Sequence, residues 1–252
     1  RSELSQQARR MVRASDLWIR EQYVQNGQIK ARLPVVVDME DGHGGFGQTQ
    51  TLAAELLSAG VAAGHIEDQA ERRCGHLPGK VLVTAEKQVE RLLAARSEAD
   101  QLGIDDFVLI ARTDAAGARY TPEGVKGSVD LAVQRTLAYA RAEIHNRRAI
   151  DLAWCEFKDQ EWDAIVHWAR AVRKEHPDLG LAIILSSSFD WTNPKFLPVW
   201  SMEQLAEEGF KYMFMTLADN QAGRNGSWEF FMDIQKRGTA AFPDQQRKEI
   251  AS

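Results

Sequence analysis

Six short apolar stretches constrain this chain more than any other feature. They read PVVVDMED (34–41), GVAAGHIED (60–68), DFVLIARTD (106–114), DLAWCEF (151–157), GLAIILSSS (180–188) and KYMFMTLAD (211–219). They recur roughly 30 to 45 residues apart, the length of a strand followed by a helix. Near-continuous apolar runs of this length suit strands covered on both faces, as in a parallel sheet. The segments between them carry helical spacing: 49–60, 84–103, 130–143, 160–176 and 201–209. Thr84 is placed to cap one of these, and Gly60 and Gly103 to stop two. An earlier segment, 8–24, also has a helical pattern.

The alternation predicts an α/β fold, a (β/α)8 TIM-type barrel, and with six strand candidates in place of eight either it is lacking its first two strand units in this chain or the fold closes in another way. It is expected as a single barrel domain over 1–252, with a C-terminal helical segment from about 227 (SWEFFMDIQKRG). The rival is a doubly wound open sheet. That fold usually carries G-x-G-x-x-G after a strand. Here GHGGFG (42–47) has the wrong spacing and follows two acids.

Composition narrows the function classes. Of 252 residues, 44% are hydrophobic and 27% charged, with a formal net charge of −5. A mildly acidic chain with dispersed Lys and Arg is not expected to bind nucleic acid. No apolar run approaches about 18 residues, so no membrane span is expected. Two distant cysteines, Cys74 and Cys155, do not make a disulfide framework or a Cys-type zinc site. The opening residues have no apolar signal-peptide core, which leaves a reducing, cytoplasmic setting as the expectation.

The apolar stretches end in chemically capable residues. A β/α barrel gathers such strand ends into its active site. The first ends in Asp38 and Glu40, expected on one strand face, and Asp41. Two close carboxylates repel unless a cation or proton lies between them, and hard oxygen ligands suit Mg²⁺. The second tip adds His65 and Glu67. RRCGHLPGK (72–80) follows, with the Cys74 thiol among Arg72, Arg73, His76 and Lys80. Positive neighbours favour a thiolate, which can exchange a proton near neutral pH. Arg112 is a carboxylate clamp, and Ser186, Ser188 and Thr216 are hydroxyl donors. Each has a plainer reading on its own: a turn, a half-buried histidine, a solvated loop. Together they describe a site for an anionic, multi-carboxylate substrate held through Mg²⁺.

These residues bring a family into view. RRCGHLPGK resembles the isocitrate lyase signature Lys-Lys/Arg-Cys-Gly-His, with Arg72 for the first Lys. VVVDMEDGHGGFG resembles the family's metal segment, and HIEDQ, ARTDA, DLAWCE, SSSFDW and MTLAD follow in family order across about 30–237. The resemblance implies a lyase of the isocitrate lyase and phosphoenolpyruvate mutase superfamily, cleaving isocitrate to glyoxylate and succinate in the glyoxylate bypass. It implies Mg²⁺ (or Mn²⁺) at Asp38, with Glu40 and Glu67 holding metal waters. Cys74 would handle the proton at the succinate carbon, assisted by His76. Arg112 would hold glyoxylate, and Ser186, Ser188 and Thr216 the succinate end. His65 and Glu156 would line the site, and a homotetramer would form by exchange of C-terminal helices. Two departures stand out. Ile184 replaces the family's substrate-binding Asn, and the early Ser-Gly-Trp-Gln strand is not found. The first suits 2-methylisocitrate as an alternative substrate. The second suits a truncated or degenerate member with little catalysis.

Overall fold

A computed structural model of the chain describes residues 2–27, 31–71, 78–193 and 199–251. Six parallel strands form one sheet: β1 (Val36–Asp38), β2 (Ala63–Glu67), β3 (Val108–Thr113), β6 (Leu152–Cys155), β7 (Gly180–Leu185) and β8 (Phe210–Met215). They lie side by side in that order. A two-stranded hairpin, β4 (Glu143–Ile144) and β5 (Arg147–Arg148), interrupts the chain before β6. Each of the six apolar stretches therefore contributes one strand of the main sheet.

The connecting segments are helices: α2 (Phe46–Leu57), α3 (Ala85–Gln101), α4 (Val129–Ala140), α5 (Trp162–Glu175) and α6 (Met202–Glu207). Three of these, α3, α4 and α6, start at side chains that satisfy the first free N–H groups. Thr84 accepts from the Lys87 N–H at 3.1 Å and Ser128 from that of Leu131 at 3.1 Å. Ser201 and Gln204 form a reciprocal capping box. An N-terminal helix, α1 (Glu3–Asn26), precedes β1 and packs Ala8 and Val12 into the core.

The two faces of the sheet are used differently. Ile66, Leu109, Ala111, Ala153, Cys155, Leu181 and Ile183 join Leu56, Leu92, Ala132 and Trp168 of the helices in one large core. The alternate residues Ile110, Trp154, Ala182 and Ile184 form a separate cluster, with Tyr212 and Phe214 against it. Partners in a parallel ladder share a face, and the register runs Glu67, Arg112, Trp154, Ala182, Tyr212 across the second face.

This second face is concave. β2 and β8 are four strand spacings apart, roughly 19 Å along a flat sheet. Yet the ring of His65 on β2 meets that of Phe214 on β8 at 5.4 Å. The sheet has curled as in a barrel, with β1 and β8 as its two edges among the described residues.

Two boundaries differ from the sequence expectation. β8 ends at Met215, and Leu217 takes a left-handed conformation (φ 60°) before α7 (Ala218–Arg237). Asp219, expected to close a strand, instead lies in the first helical turn, where a carboxylate suits the helix dipole. The C-terminal helix accordingly starts about nine residues earlier than 227, the difference between positions 218 and 227. A final helix, α8 (Ala241–Ala251), packs against α7, which has no buried residue.

Candidate active site

The strand tips open into a cavity of about 750 Å³ on the concave face. Asp38, Glu40, His65, Glu67, Arg112, Glu156, Ser186, Ser188 and Thr216 all line it. Nine of the eleven residues singled out from the sequence therefore meet in one place. The other two, Cys74 and His76, lie outside the described residues, as do Arg72 and Arg73.

Asp38 and Glu40 reach the cavity by a route the sequence did not suggest. The strict alternation ends with β1 at Asp38. Asp38 Oδ1 then accepts from the Glu40 N–H at 2.8 Å, and Glu40 turns left-handed (φ 51°). The Glu40 carboxylate lies 3.7 Å from His43 Nε2. Arg91 ties this turn to the next strand, donating to the Gly44 carbonyl at 2.9 Å and the Gln69 carbonyl at 3.1 Å.

Arg112 is the centre of the site. Its Nε and Nη2 grip Asp114 at 3.0 and 3.1 Å, a bidentate pair. Nη1 lies 3.3 Å from Glu67 and Nη2 3.6 Å from Glu156. The guanidinium also covers the Trp154 ring at 4.5 Å. Trp154 stacks on Phe214 at 4.7 Å, and the His65 ring meets it edge-on at 4.9 Å. Asp114 has a second cation, Lys80 Nζ, at 3.0 Å. Lys80 was expected among the cations around Cys74, and its buried ammonium lies on Asp114.

These charges shape the acid–base character of the site. Burial pushes the Glu67 carboxyl up to about 8, with Asp114, Asp38 and Asp68 adding repulsion against the pull of Arg112. Burial likewise raises Glu156 to about 7. Asp114 goes the other way, held below the usual range by Arg112 and Lys80 despite its burial. His65 is lowered to about 4, first by burial and then by Arg112. It is therefore a neutral imidazole at pH 7, its Nδ1 at 3.5 Å from Asp38 Oδ1.

The other side of the cavity is unlike this one. Ser186 is buried and its Oγ accepts from the Ser188 N–H at 3.2 Å. Ser188 and Thr216 are exposed, and Thr216 Oγ1 donates to the Leu185 carbonyl at 3.4 Å. Between them stand Ile184 and Phe214.

The donor set fits a hard divalent cation. Buried Glu67, Asp114 and Glu156 outnumber Arg112 and Lys80, and the exposed Asp38 stands at the mouth beside them, so ionising all of them leaves a negative surplus at the site. No three His, Cys, Asp or Glu side chains form a ready metal cage among the described residues. Mg²⁺ does not need one, because it keeps several waters and takes one or two carboxylates.

Sequence reasoning overlooked Trp154 and Phe214 as site residues and gave Asp114, at a strand end, and Lys80, beside Cys74, no shared role. Trp154 and Phe214 precede Glu156 and Thr216 by two, so the strand period would have placed them on the same face. Nothing in the sequence pairs Lys80 with Asp114.

A curled parallel β/α sheet with charged residues gathered at its strand ends defines the class of β/α-barrel enzymes. Residues 1–142 match the phosphoenolpyruvate phosphomutase family model, and residues 119–252 match that of the isocitrate lyase family. The chain is 34% identical over 234 residues to the isocitrate lyase of Haloferax volcanii, covering 92% of this chain and 58% of that protein. It spans somewhat over half the length of that relative and of the Halalkalibacterium halodurans isocitrate lyase (57%). Among solved structures, phosphoenolpyruvate phosphomutase from Streptomyces platensis shares the fold, with TM-score 0.63 and 23% identity over 83% of this chain and 65% of that one. A 2,3-dimethylmalate lyase does so with TM-score 0.61 and 23% identity, over 90% and 66%. The chain belongs to the phosphoenolpyruvate mutase/isocitrate lyase superfamily. Among the described residues, no helix is long and apolar enough to cross a membrane.

Proposed function

We propose that this chain carries the active site of a Mg²⁺-dependent carbon–carbon lyase that cleaves isocitrate to glyoxylate and succinate. The observation that carries this reading is the meeting of Asp38, Glu67, Arg112 and Glu156 in one cavity with Ser186, Ser188 and Thr216 opposite. One side suits a cation and a 2-oxo acid, the other a second carboxylate.

Asp38 would bind Mg²⁺ directly, with Glu40 and Glu67 holding its waters. When bound, the ion supplies Lewis-acid polarisation of the substrate's 2-hydroxyl and neighbouring carboxylate. Arg112 grips the carboxylate of the glyoxylate half. Its contacts to Glu67 and Glu156 are longer than those to Asp114, so these are the ones it exchanges for substrate. Glu156, raised to about 7, takes the 2-hydroxyl proton. The carbon–carbon bond then breaks and its electron pair stays on the succinate carbon. Cys74, assisted by His76, returns a proton to that carbon. His65, neutral, lines the site beside Asp38, and the serine and threonine hydroxyls hold the succinate carboxylate.

Ile184 favours a second reading. It stands in the cavity wall where a polar residue would serve a carboxylate, and its apolar surface suits the extra methyl of 2-methylisocitrate. The same proposal takes the chain as one barrel domain in a cytoplasmic homotetramer. Exposed Trp228 and Phe231 on α7 support further association. Purified chain, isocitrate and Mg²⁺, with glyoxylate trapped as its phenylhydrazone, tests the reading beside Cys74→Ser and a metal-free control. Glyoxylate that needs both supports it. Pyruvate from 2-methylisocitrate, without glyoxylate from isocitrate, selects the second substrate. Neither product from folded protein sinks the lyase reading and leaves a degenerate family member.

A further inference from the structure

Behind the cavity, on the outer face of the same strand tips, lies a buried polar cluster that the chemistry above does not use. Asp68 follows Glu67 and faces the opposite way. Its carboxylate accepts four hydrogen bonds: Thr113 Oγ1 at 2.7 Å, Tyr139 OH at 2.8 Å, the Asp114 N–H at 2.9 Å and Arg135 Nη1 at 3.1 Å. Arg135 is fixed in turn, donating through Nη2 to the Val83 carbonyl at 2.8 Å and to Glu123 at 2.7 Å. Asp68, Thr113, Asp114, Arg135 and Tyr139 are all buried.

The position of this cluster matters more than its size. The β2–β3 ladder ends at the pair Glu67 and Arg112. One residue further, Asp68 Oδ1 receives the Asp114 N–H in place of a ladder carbonyl. β3 can then leave the sheet, with Asp114 at φ −100° and ψ 13°. From that turn the Asp114 side chain comes back onto Arg112 and Lys80. Two of the four donors to Asp68 thus belong to the two residues directly after Arg112. A buried ion pair serving stability alone needs no bond to that backbone.

We propose that Asp68, anchored by Arg135, is a positioning residue that sets Asp114 and through it holds the Arg112 guanidinium at the angle that receives a substrate carboxylate. The inference rests on the lyase reading for its substrate. It adds a role for residues that do not touch the cavity.

Removing Arg135 leaves the buried Asp68 carboxylate without its cation, and removing Asp68 strips four buried donors of their acceptor; both invite unfolding, so gentler variants carry the test. Thr113→Val removes the hydroxyl at nearly constant shape, losing its bond to Asp68 and the longer one it accepts from the Ala115 N–H at 3.3 Å; Thr113→Ser restores both, and Tyr139→Phe removes a different bond to the same carboxylate. Each is assayed with isocitrate and saturating Mg²⁺, and titrated with oxalate by calorimetry. The expected result is a loss of kcat/KM of about tenfold in Thr113→Val, the size of one charge-assisted hydrogen bond. It should fall chiefly on KM, because Arg112 grips the carboxylate in ground and transition states alike. Oxalate affinity should weaken by a similar factor, and Thr113→Ser should return within about twofold of the parent. A structural role alone would lower the active fraction and hence kcat, with KM unmoved. That pattern overturns the inference, as does equal impairment of the Val and Ser variants or wild-type behaviour of Thr113→Val. If Thr113→Val does not fold, Tyr139→Phe decides by the same KM criterion. If neither folds, the cluster is a folding determinant and the inference is wrong. Should the parent chain neither cleave a hydroxy acid nor bind oxalate, it is the lyase reading that has failed, and the inference falls with it.

Discussion

The two sides of the cavity are built on different physics. From β1 to β6 the rim is charged, mostly buried and cross-tied, with Arg112 shared by Asp114, Glu67 and Glu156 and with Lys80 behind them. From β7 to β8 it is hydroxyl and apolar, and Ser188 and Thr216 stand open to solvent. On the first side each ionised group depends on its neighbours, since desolvation makes an unpaired charge costly. On the second side the exposed hydroxyls of Ser188 and Thr216 are nearly independent, while Ile184 and Phe214 pack into the strand-face cluster. The first side is therefore a unit that tolerates little change, and the second is where contacts to substrate can vary at its open hydroxyls at small cost to the fold.

The largest expected effect separates the two sides directly. Arg112→Met should cost about 3–5 kcal/mol of stability, because three buried carboxylates lose their shared cation. Urea denaturation measures it. Ser186→Ala on the opposite rim should cost no more than about 1 kcal/mol, one ordinary hydrogen bond. Equal costs would erase the contrast.

Metal addition should produce the next largest effect. At a hundredfold excess over Kd, Mg²⁺ should stabilise the chain by about 2.7 kcal/mol through mass action. A thermal melt with and without Mg²⁺ reads this, and Glu67→Gln should abolish most of the shift. A full shift in that variant would remove Glu67 from the metal shell.

The pH dependence follows from Glu156. Its carboxyl is raised from 4.5 to about 7 in the folded chain, chiefly by burial. Between those values the folded state holds the proton that the unfolded state has lost. The contribution of Glu156 to stability is thus fully present below about 4.5 and is lost as pH rises through about 7. Glu156→Gln should flatten that part of the metal-free stability profile. An unchanged slope would show that Arg112 keeps Glu156 ionised throughout.

Substitution at Ile184 should have the most selective effect on function. Ile184→Asn should favour isocitrate over 2-methylisocitrate by about tenfold or more, the worth of one methyl group in an apolar pocket. Competition between the two substrates measures it. No change in the ratio would place the methyl elsewhere.

Much of this was legible in the residues. The six strands, their order of appearance and their polar tips follow from apolar runs of strand length separated by helical segments. The Thr84 cap is local and was readable for that reason. The Leu217 turn was not, because an apolar residue at φ 60° carries no sequence signal and the run KYMFMTLAD reads as continuous strand. The Asp38–Glu40 arrangement failed similarly, since alternation holds only while the backbone stays extended, and Glu40 does not.

What the sequence determined by itself was which residues stand at the strand ends, because that depends on short-range periodicity and chain order. What only the tertiary structure decided was who pairs with whom. Lys80 meets Asp114 across 34 positions and Arg135 meets Asp68 across 67. Such partners are selected by the curl of the sheet and the exclusion of water. Those same two effects move the carboxyls of Glu67 and Glu156 toward neutrality, where they can hold or release a proton.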